Sequence, residues 1–152
     1  MFRKSLGTDN SLTPAVLRIV LGAVIFAHGA QKMLGWFGGK GLQAALHDLV
    51  PGKYIPIPLS FMAVCAEFFG GLGLMTGLLT RVSALGVAVD MAVAIAMVEG
   101  HEGFFMNWEG QKQGEGYEYH LLVLAMTYVL ILKGGGALSV DRLLAGSREP
   151  LI

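Results

Sequence analysis

The sequence predicts an all-α integral membrane protein, a four-helix transmembrane bundle forming one domain over residues 1–152. Three observations point there: long apolar stretches, a shortage of charge and an excess of glycine. Hydrophobic residues make up 54% of the chain and charged residues 14%, against about 25% charged in an average soluble domain. The 22 glycines are roughly twice average usage. Glycine is frequent in membrane helices because it lets their backbones approach closely. A soluble, glycine-rich helical domain is the rival reading, and the apolar stretches are too long for it.

Residues 1–11 are polar and carry Arg3, Lys4, Asp9 and Asn10. Thr13-Pro14 suits a helix start, with proline near the first helical position. The first apolar run covers residues 13–34 and is interrupted by Arg18 and His28. A cleaved signal peptide competes for this stretch. Arg18 fits such a segment poorly, and three later spans make a membrane protein of the chain either way. Residues 35–57 connect, with a short amphipathic interfacial helix expected near residues 42–50. The second span, 58–79, contains Glu67, and the third, 82–99, contains Asp90. Thr80-Arg81 marks the turn between them. Residues 100–116 are polar, glycine-rich and acidic, and the fourth span, 117–133, ends at Lys133. Crossing ~30 Å of hydrocarbon takes ~20 helical residues, so the third and fourth spans are near the lower limit. Backbone groups in lipid must be satisfied internally, and these runs lack the alternation of barrel strands.

Four spans place both termini on one side, with Arg3, Lys4, Arg81, Lys133, Arg142 and Arg148. The other side holds Lys32, Lys40, Lys53 and Lys112, together with Asp48, Glu99, Glu102, Glu109, Glu115 and Glu118. The excess of Lys and Arg puts the termini in the cytoplasm. Trp36, Phe37, Tyr54, Trp108, Tyr117 and Tyr119 then gather at the outer interface as an aromatic belt.

Eleven basic residues balance eleven acidic ones, and no basic stripe points to nucleic acid. Cys65 is the single cysteine, so neither an internal disulfide nor a C-x-x-C pair can form. No zinc-ligand spacing or phosphate loop occurs, and no metal site is expected.

The intramembrane charges are the informative residues, since each is costly in a span and usually faces the bundle interior. At ~100° per residue, Arg18, Gly22, Ile25, His28, Gly29 and Lys32 share one half of the first helix. Glu67 lies on a stripe with Ala63, Gly70, Leu74 and Gly77, and Gly73-x-x-x-Gly77 adds a weak close-packing signal. Asp90 shares a face with Ser83, Gly86 and Met97. Glu67, Asp90 and His28 are therefore the candidate catalytic or proton-handling groups. Arg18, Gln31, Lys32, Glu118 and His120 are the candidate ligand-binding groups, several of them gathered near the outer surface. Three readings stay open. Arg18 pairs structurally with Glu67 or Asp90, the charges form a proton or quinone pocket, or one charge snorkels to an interface.

Several segments in order resemble the DoxX family. They are Leu17-Arg18 to Gly22, His28-Gly29-Ala30-Gln31-Lys32, Gly35-Trp36-Phe37-Gly38-Gly39, Ala66-Glu67 to Gly71, Leu79-Thr80-Arg81, Gly114 to Tyr119, and Gly136 to Arg142. The resemblance implies a small bacterial inner-membrane protein of four helices, in a family named for a subunit associated with a thiosulfate:quinone oxidoreductase. It implies an accessory subunit of a membrane redox complex, with quinone as the candidate cofactor. Arg18, His28, Gln31, Lys32, Glu67, Arg81 and Glu118 match the family pattern, whereas Asp90 does not. Some related modules move disulfide electrons through paired cysteines, which Cys65 alone cannot do. A non-catalytic assembly protein forming homo- or hetero-oligomers is the alternative. A proton or solute transporter is a further one, disfavoured by the lack of repeated halves.

Overall fold

A computed structural model describes residues 8, 10–47, 55–112 and 114–145. Arg3, Lys4, Asp9, Asp48, Lys53, Tyr54 and Arg148 lie outside the described residues. The elements in order are α1 (Leu12–Leu34), a 3-10 turn (Trp36–Gly38), α2 (Gly41–His47), α3 (Ile57–Thr76), α4 (Thr80–Met97), a second 3-10 turn (Glu99–His101), α5 (Glu118–Lys133) and α6 (Val140–Ala145). The described residues contain no strand.

The helix ends have local causes. The Ser11 side chain accepts from Thr13 N at the start of α1, which stops at Gly35 in the left-handed region (φ 73°). Proline occupies the first turn of α3, and Gly77 ends the helix with φ 70° and its N–H on Gly73 O and Leu74 O. The second span, α3, therefore stops three residues short of the expected 79. The third starts at Thr80 rather than 82, because a distant carboxylate caps it. Asp141 accepts from Leu79 N at 2.6 Å and from Thr80 N at 2.8 Å. The expected interfacial helix is α2, of which residues 48–50 fall outside the described part.

α1, α3 and α4 are each long and apolar enough to cross a membrane. α5, at 16 residues, spans about 24 Å and falls short of that length. Packing runs α1 on α3, α3 on α4, α4 on α5, and α5 back on α1. The α1–α3 contact is the closest approach. A Cβ on Gly22 would sit 2.6 Å from Met75 N, one on Gly29 would strike the Phe68 backbone, and one on Gly71 the Phe26 backbone. The expected Gly73-x-x-x-Gly77 seam is divided between other tasks: Gly73 faces Ser83 on α4, and Gly77 faces Ser139 and the Arg18 guanidinium. Leu21, Ile25, Leu74, Ala84, Val87, Met91, Val123 and Leu130 fill the centre. The outward sides are also apolar, with Val16, Val20, Met62, Phe69, Val82, Leu85, Leu122 and Leu132 all exposed. Helices that are apolar all round are what a lipid solvent requires.

One end of the assembly is tied by Arg18, which is 1% exposed. Its Nε donates to Gly135 O (2.8 Å), Nη1 to Leu74 O (3.1 Å) and Met75 O (2.6 Å), and Nη2 to Ala137 O (3.2 Å) and Leu138 O (2.6 Å). Guanidinium has five N–H donors in a planar fork, and five carbonyl oxygens receive them. Two of those carbonyls are in the last turn of α3, where helical C=O groups lack partners and a cation is favoured. Asp141 supplies the nearby negative charge. The expected ion pair of Arg18 with Glu67 or Asp90 is thus replaced by a carbonyl cage. The cause is the 134–139 loop, which folds its backbone over the guanidinium. The same end is closed by Ala137 N on Ser11 O and by Asp141 N on Gly77 O. Gly136 N reaches Thr8 Oγ1, and Arg142 reaches Asn10. Arg81 completes it, donating to Ile131 O and Leu132 O in the last turn of α5.

Candidate functional site

The second set of interior charges lies toward the opposite end. Lys32 is fourteen residues from Arg18 along α1, or about 21 Å. Its Nζ is 2.5 Å from Glu67 Oε1. The glycines explain how: Gly29 and Gly71 bring α1 and α3 so close that a lysine in the last turn of α1 reaches the middle of α3. Glu67 is 6% exposed, and its second oxygen, Oε2, is buried without a hydrogen-bond partner. Glu67 therefore presents one satisfied and one open acceptor.

Asp90 comes from α4, close enough for the charges of Glu67 and Lys32 both to act on it. It is partly exposed and accepts no hydrogen bond from the described residues. Gly86, one turn earlier on the same face, has nothing within 4 Å of where a Cβ would stand. From α5 come Tyr119, whose hydroxyl feels the Glu67 charge, and His120, which feels Lys32. Tyr119 Oη and His120 Nδ1 are both buried and unpartnered. The His28 ring meets Tyr119 edge-on at 6.3 Å, and Tyr119 meets His120 edge-on at 5.6 Å.

Lys32, Glu67, Asp90, Tyr119, His120 and His28 thus form one polar group drawn from four helices. Of the ligand-binding candidates, Lys32 and His120 belong to it, whereas three others are engaged elsewhere. Arg18 is caged at the far end. Gln31 Nε2 donates to Phe37 O at 3.2 Å, holding the turn that follows α1. Glu118 Oε1 accepts from Met106 N at 3.0 Å and Trp108 Nε1 at 3.1 Å, pinning the loop between α4 and α5. The sequence reading passed over Ser60, which is 1% exposed with an unpartnered Oγ. Its signal was available: Ser60 lies seven residues, two turns, before Glu67 and so on the same helix face.

Chemically, the group holds two carboxylates and one ammonium. Buried polar atoms are normally hydrogen-bonded, and those left open call for a specific explanation. Here at least three open polar atoms, Glu67 Oε2, Tyr119 Oη and His120 Nδ1, sit in one neighbourhood. These open atoms can make further hydrogen bonds, and the carboxylates can take up or release a proton.

An uncharacterized protein of Haemophilus influenzae is 27% identical over 146 residues, covering 93% of this chain and 89% of that protein. No solved structure matches. The DoxX family profile matches residues 13–100, which include Lys32, Glu67, Asp90 and their glycine contacts. More than half of the chain is matched, and the protein is a member of the DoxX family of membrane proteins.

Proposed function

We propose that this protein is a membrane-embedded accessory subunit of a quinone-linked redox system. Its binding site for the quinone head is the group formed by Lys32, Glu67, Asp90, Tyr119 and His120. The observation that carries this reading is the set of buried, unpartnered polar atoms in one neighbourhood: Tyr119 Oη and His120 Nδ1, which can donate to a quinone carbonyl, and Glu67 Oε2, which can accept from a quinol hydroxyl. A quinone couple supplies two-electron, two-proton chemistry when bound. The protein's own part is to seat the head group, orient it with Tyr119 and His120, and hold or pass protons at Glu67 and Asp90. His28 borders the entrance. Electrons go to or come from a partner protein, since Cys65 is the lone thiol.

In the same reading, α5 is a fourth crossing. Arg81 at the start of α4 holds the last turn of α5, and Glu118 at the start of α5 holds the loop that leads from α4. Lys133 at its terminus can snorkel to extend the span. Both termini then lie in the cytoplasm and the protein sits in the bacterial inner membrane.

Native mass spectrometry of the protein, extracted from its own membrane in mild detergent, tests the proposal. The expected result is a co-bound species of quinone mass that is lost in Glu67→Gln. A protein that flies only with itself, lipid or another polypeptide contradicts it and favours an assembly role.

A further inference from the structure

The two most exposed leucines among the described residues are not on the spans. Leu143, 82% exposed, and Leu138, 79% exposed, belong to the segment that closes the Arg18 end, and Leu144 beside them is exposed as well. The fold holds them out. Ala137 and Ser139, on either side of Leu138, are buried. Leu138 itself takes a left-handed backbone (φ 57°), which residues other than glycine seldom adopt, and Arg18 Nη2 grips its carbonyl at 2.6 Å. Three residues on, Asp141 is buried. It accepts from Leu79 N and Thr80 N, and its own N–H donates to Gly77 O.

These bonds fix the rotation of α6 about its axis. At ~100° per residue, Val140, Leu143 and Leu144 fall within one arc of about 100°. Asp141 lies to one side of that arc, against the bundle, and Arg142 lies nearly opposite, bonded to Asn10. They fix its level too. The segment is tied to Gly77, Leu79 and Thr80, the turn where α3 ends and α4 begins, so it sits where apolar spans give way to head groups. The lipid-facing surface continues up to it: Leu12 and Val16 on α1, Leu78 and Leu79 in the turn, and Val82 and Leu85 on α4 are all exposed. The charged side chains described at this end that are not buried are all basic, namely Arg81, Lys133 and Arg142, while the carboxylate of Asp141 is buried. A helix with one flank on protein, an apolar face and a basic back has the build of an interfacial element. Basic groups at that level are attracted to anionic head groups.

We propose that Leu138 and α6 form a lipid-docking foot at the membrane surface. Leu138, Leu143 and Leu144 enter the boundary of the acyl chains, and Arg142 and Lys133 lie among the head groups of anionic lipids. The Arg18 cage gains a second consequence, because it fixes the loop that presents Leu138. The proposal goes beyond the reading of the Lys32–Glu67 group and is independent of what that group binds.

The test places a single indole on this face. Leu143→Trp, in the full-length protein carrying Trp36→Phe and Trp108→Phe, is reconstituted into vesicles of phosphatidylcholine and phosphatidylglycerol. Its fluorescence is read against acrylamide in the water and against lipids brominated high on the acyl chain. Bromine should remove most of the emission, and acrylamide should quench far less than it quenches free tryptophan. Brominated phosphatidylglycerol should reach the same quenching at about one fifth the mole fraction of brominated phosphatidylcholine, the enrichment that one nearby Lys or Arg gives. An indole open to acrylamide and untouched by bromine would mean that the leucines face water. An indole shielded from both would mean that a protein surface covers them, a second copy included. Either result overturns the proposal, and equal potency of the two brominated lipids overturns its choice of anionic head groups. Leu144→Trp gives the same reading should Leu143→Trp not fold.

Discussion

Arg18 and Lys32 stand on the same helix, about 21 Å apart, and their surroundings are opposites. Around Arg18 every guanidinium donor group is engaged by carbonyl oxygens, and Asp141 supplies the nearby countercharge while capping α4. Around Lys32 the charges are uneven, and Glu67 Oε2, Tyr119 Oη and His120 Nδ1 are left open. Although Lys32 beside Glu67 is about a third exposed, Arg18 is 1% exposed and Glu67 6%, so burial does not separate these two. Satisfaction does. A closed network rigidifies what it joins, here the start of α1, the α3–α4 turn and the 134–142 segment. An open network carries a free-energy cost that a ligand or proton can relieve.

This contrast can be broken by substitution, beginning at the closed end, where the effect is largest. Arg18→Lys keeps the charge and loses the planar fork. It should leave at least two buried carbonyls without a donor and lower stability by about 2–5 kcal/mol, read as reversible unfolding in mixed micelles. Stability within 1 kcal/mol of the unaltered protein, by the ordinary scatter of surface changes, would mean that the cage is incidental. Next is the glycine contact that lets Lys32 reach Glu67. Gly71→Ala drives a Cβ into the Phe26 backbone and should cost about 1–3 kcal/mol. Gly86→Ala, with open space around it, should stay within about 0.5 kcal/mol and serves as the internal control. Equal effects at the two positions would refute the packing argument. Smaller again, Asp141→Ala removes the cap on Leu79 N and Thr80 N and should cost about 1–2 kcal/mol. Its loss should appear in amide exchange as faster exchange at the first turn of α4. The smallest effect is at Glu118→Gln. Its Oε1 still accepts from Met106 N and Trp108 Nε1, so Trp108 fluorescence should barely move, and a large shift would show that the carboxylate charge itself organises the loop.

Which parts of this were legible beforehand follows from where each signal resides. Interior charge is written in the sequence, because an arginine, a glutamate and an aspartate inside apolar runs are conspicuous, and Arg18, Glu67 and Asp90 could be singled out. Pairing was not legible. Which charge meets which depends on the axial offset between helices, and that offset is set by Gly22, Gly29 and Gly71 at the α1–α3 contact. The Arg18 cage was hidden for another reason. Its acceptors are backbone carbonyls of residues 74, 75, 135, 137 and 138, and a carbonyl has no side-chain signature. Gln31 and Glu118 lay at the right depth for a site, but depth does not give rotation about the helix axis, and both turn toward loop backbone. Ser60 was missed because a single serine in an apolar helix is unremarkable until its hydroxyl is found buried and open. The α3–α4 boundary moved because Gly77 and Asp141, rather than the apolar pattern, decide where those helices stop and start.

The central claim is that the closed end holds the fold and the open end is held ready for a ligand. Melting temperatures of Arg18→Gln and Glu67→Gln, measured side by side in one detergent, test it most directly. In Arg18→Gln the charge and most donors are lost from a site 1% exposed, and the protein should melt far lower or fail to assemble. In Glu67→Gln the mutual repulsion of two carboxylates is relieved. Lys32, about a third exposed, can turn to Asp90 or to the interface, so melting should stay within a few degrees of the unaltered protein. The reverse order, with Glu67→Gln the more damaging, would make the Lys32–Glu67 pair a structural bond and contradict the account.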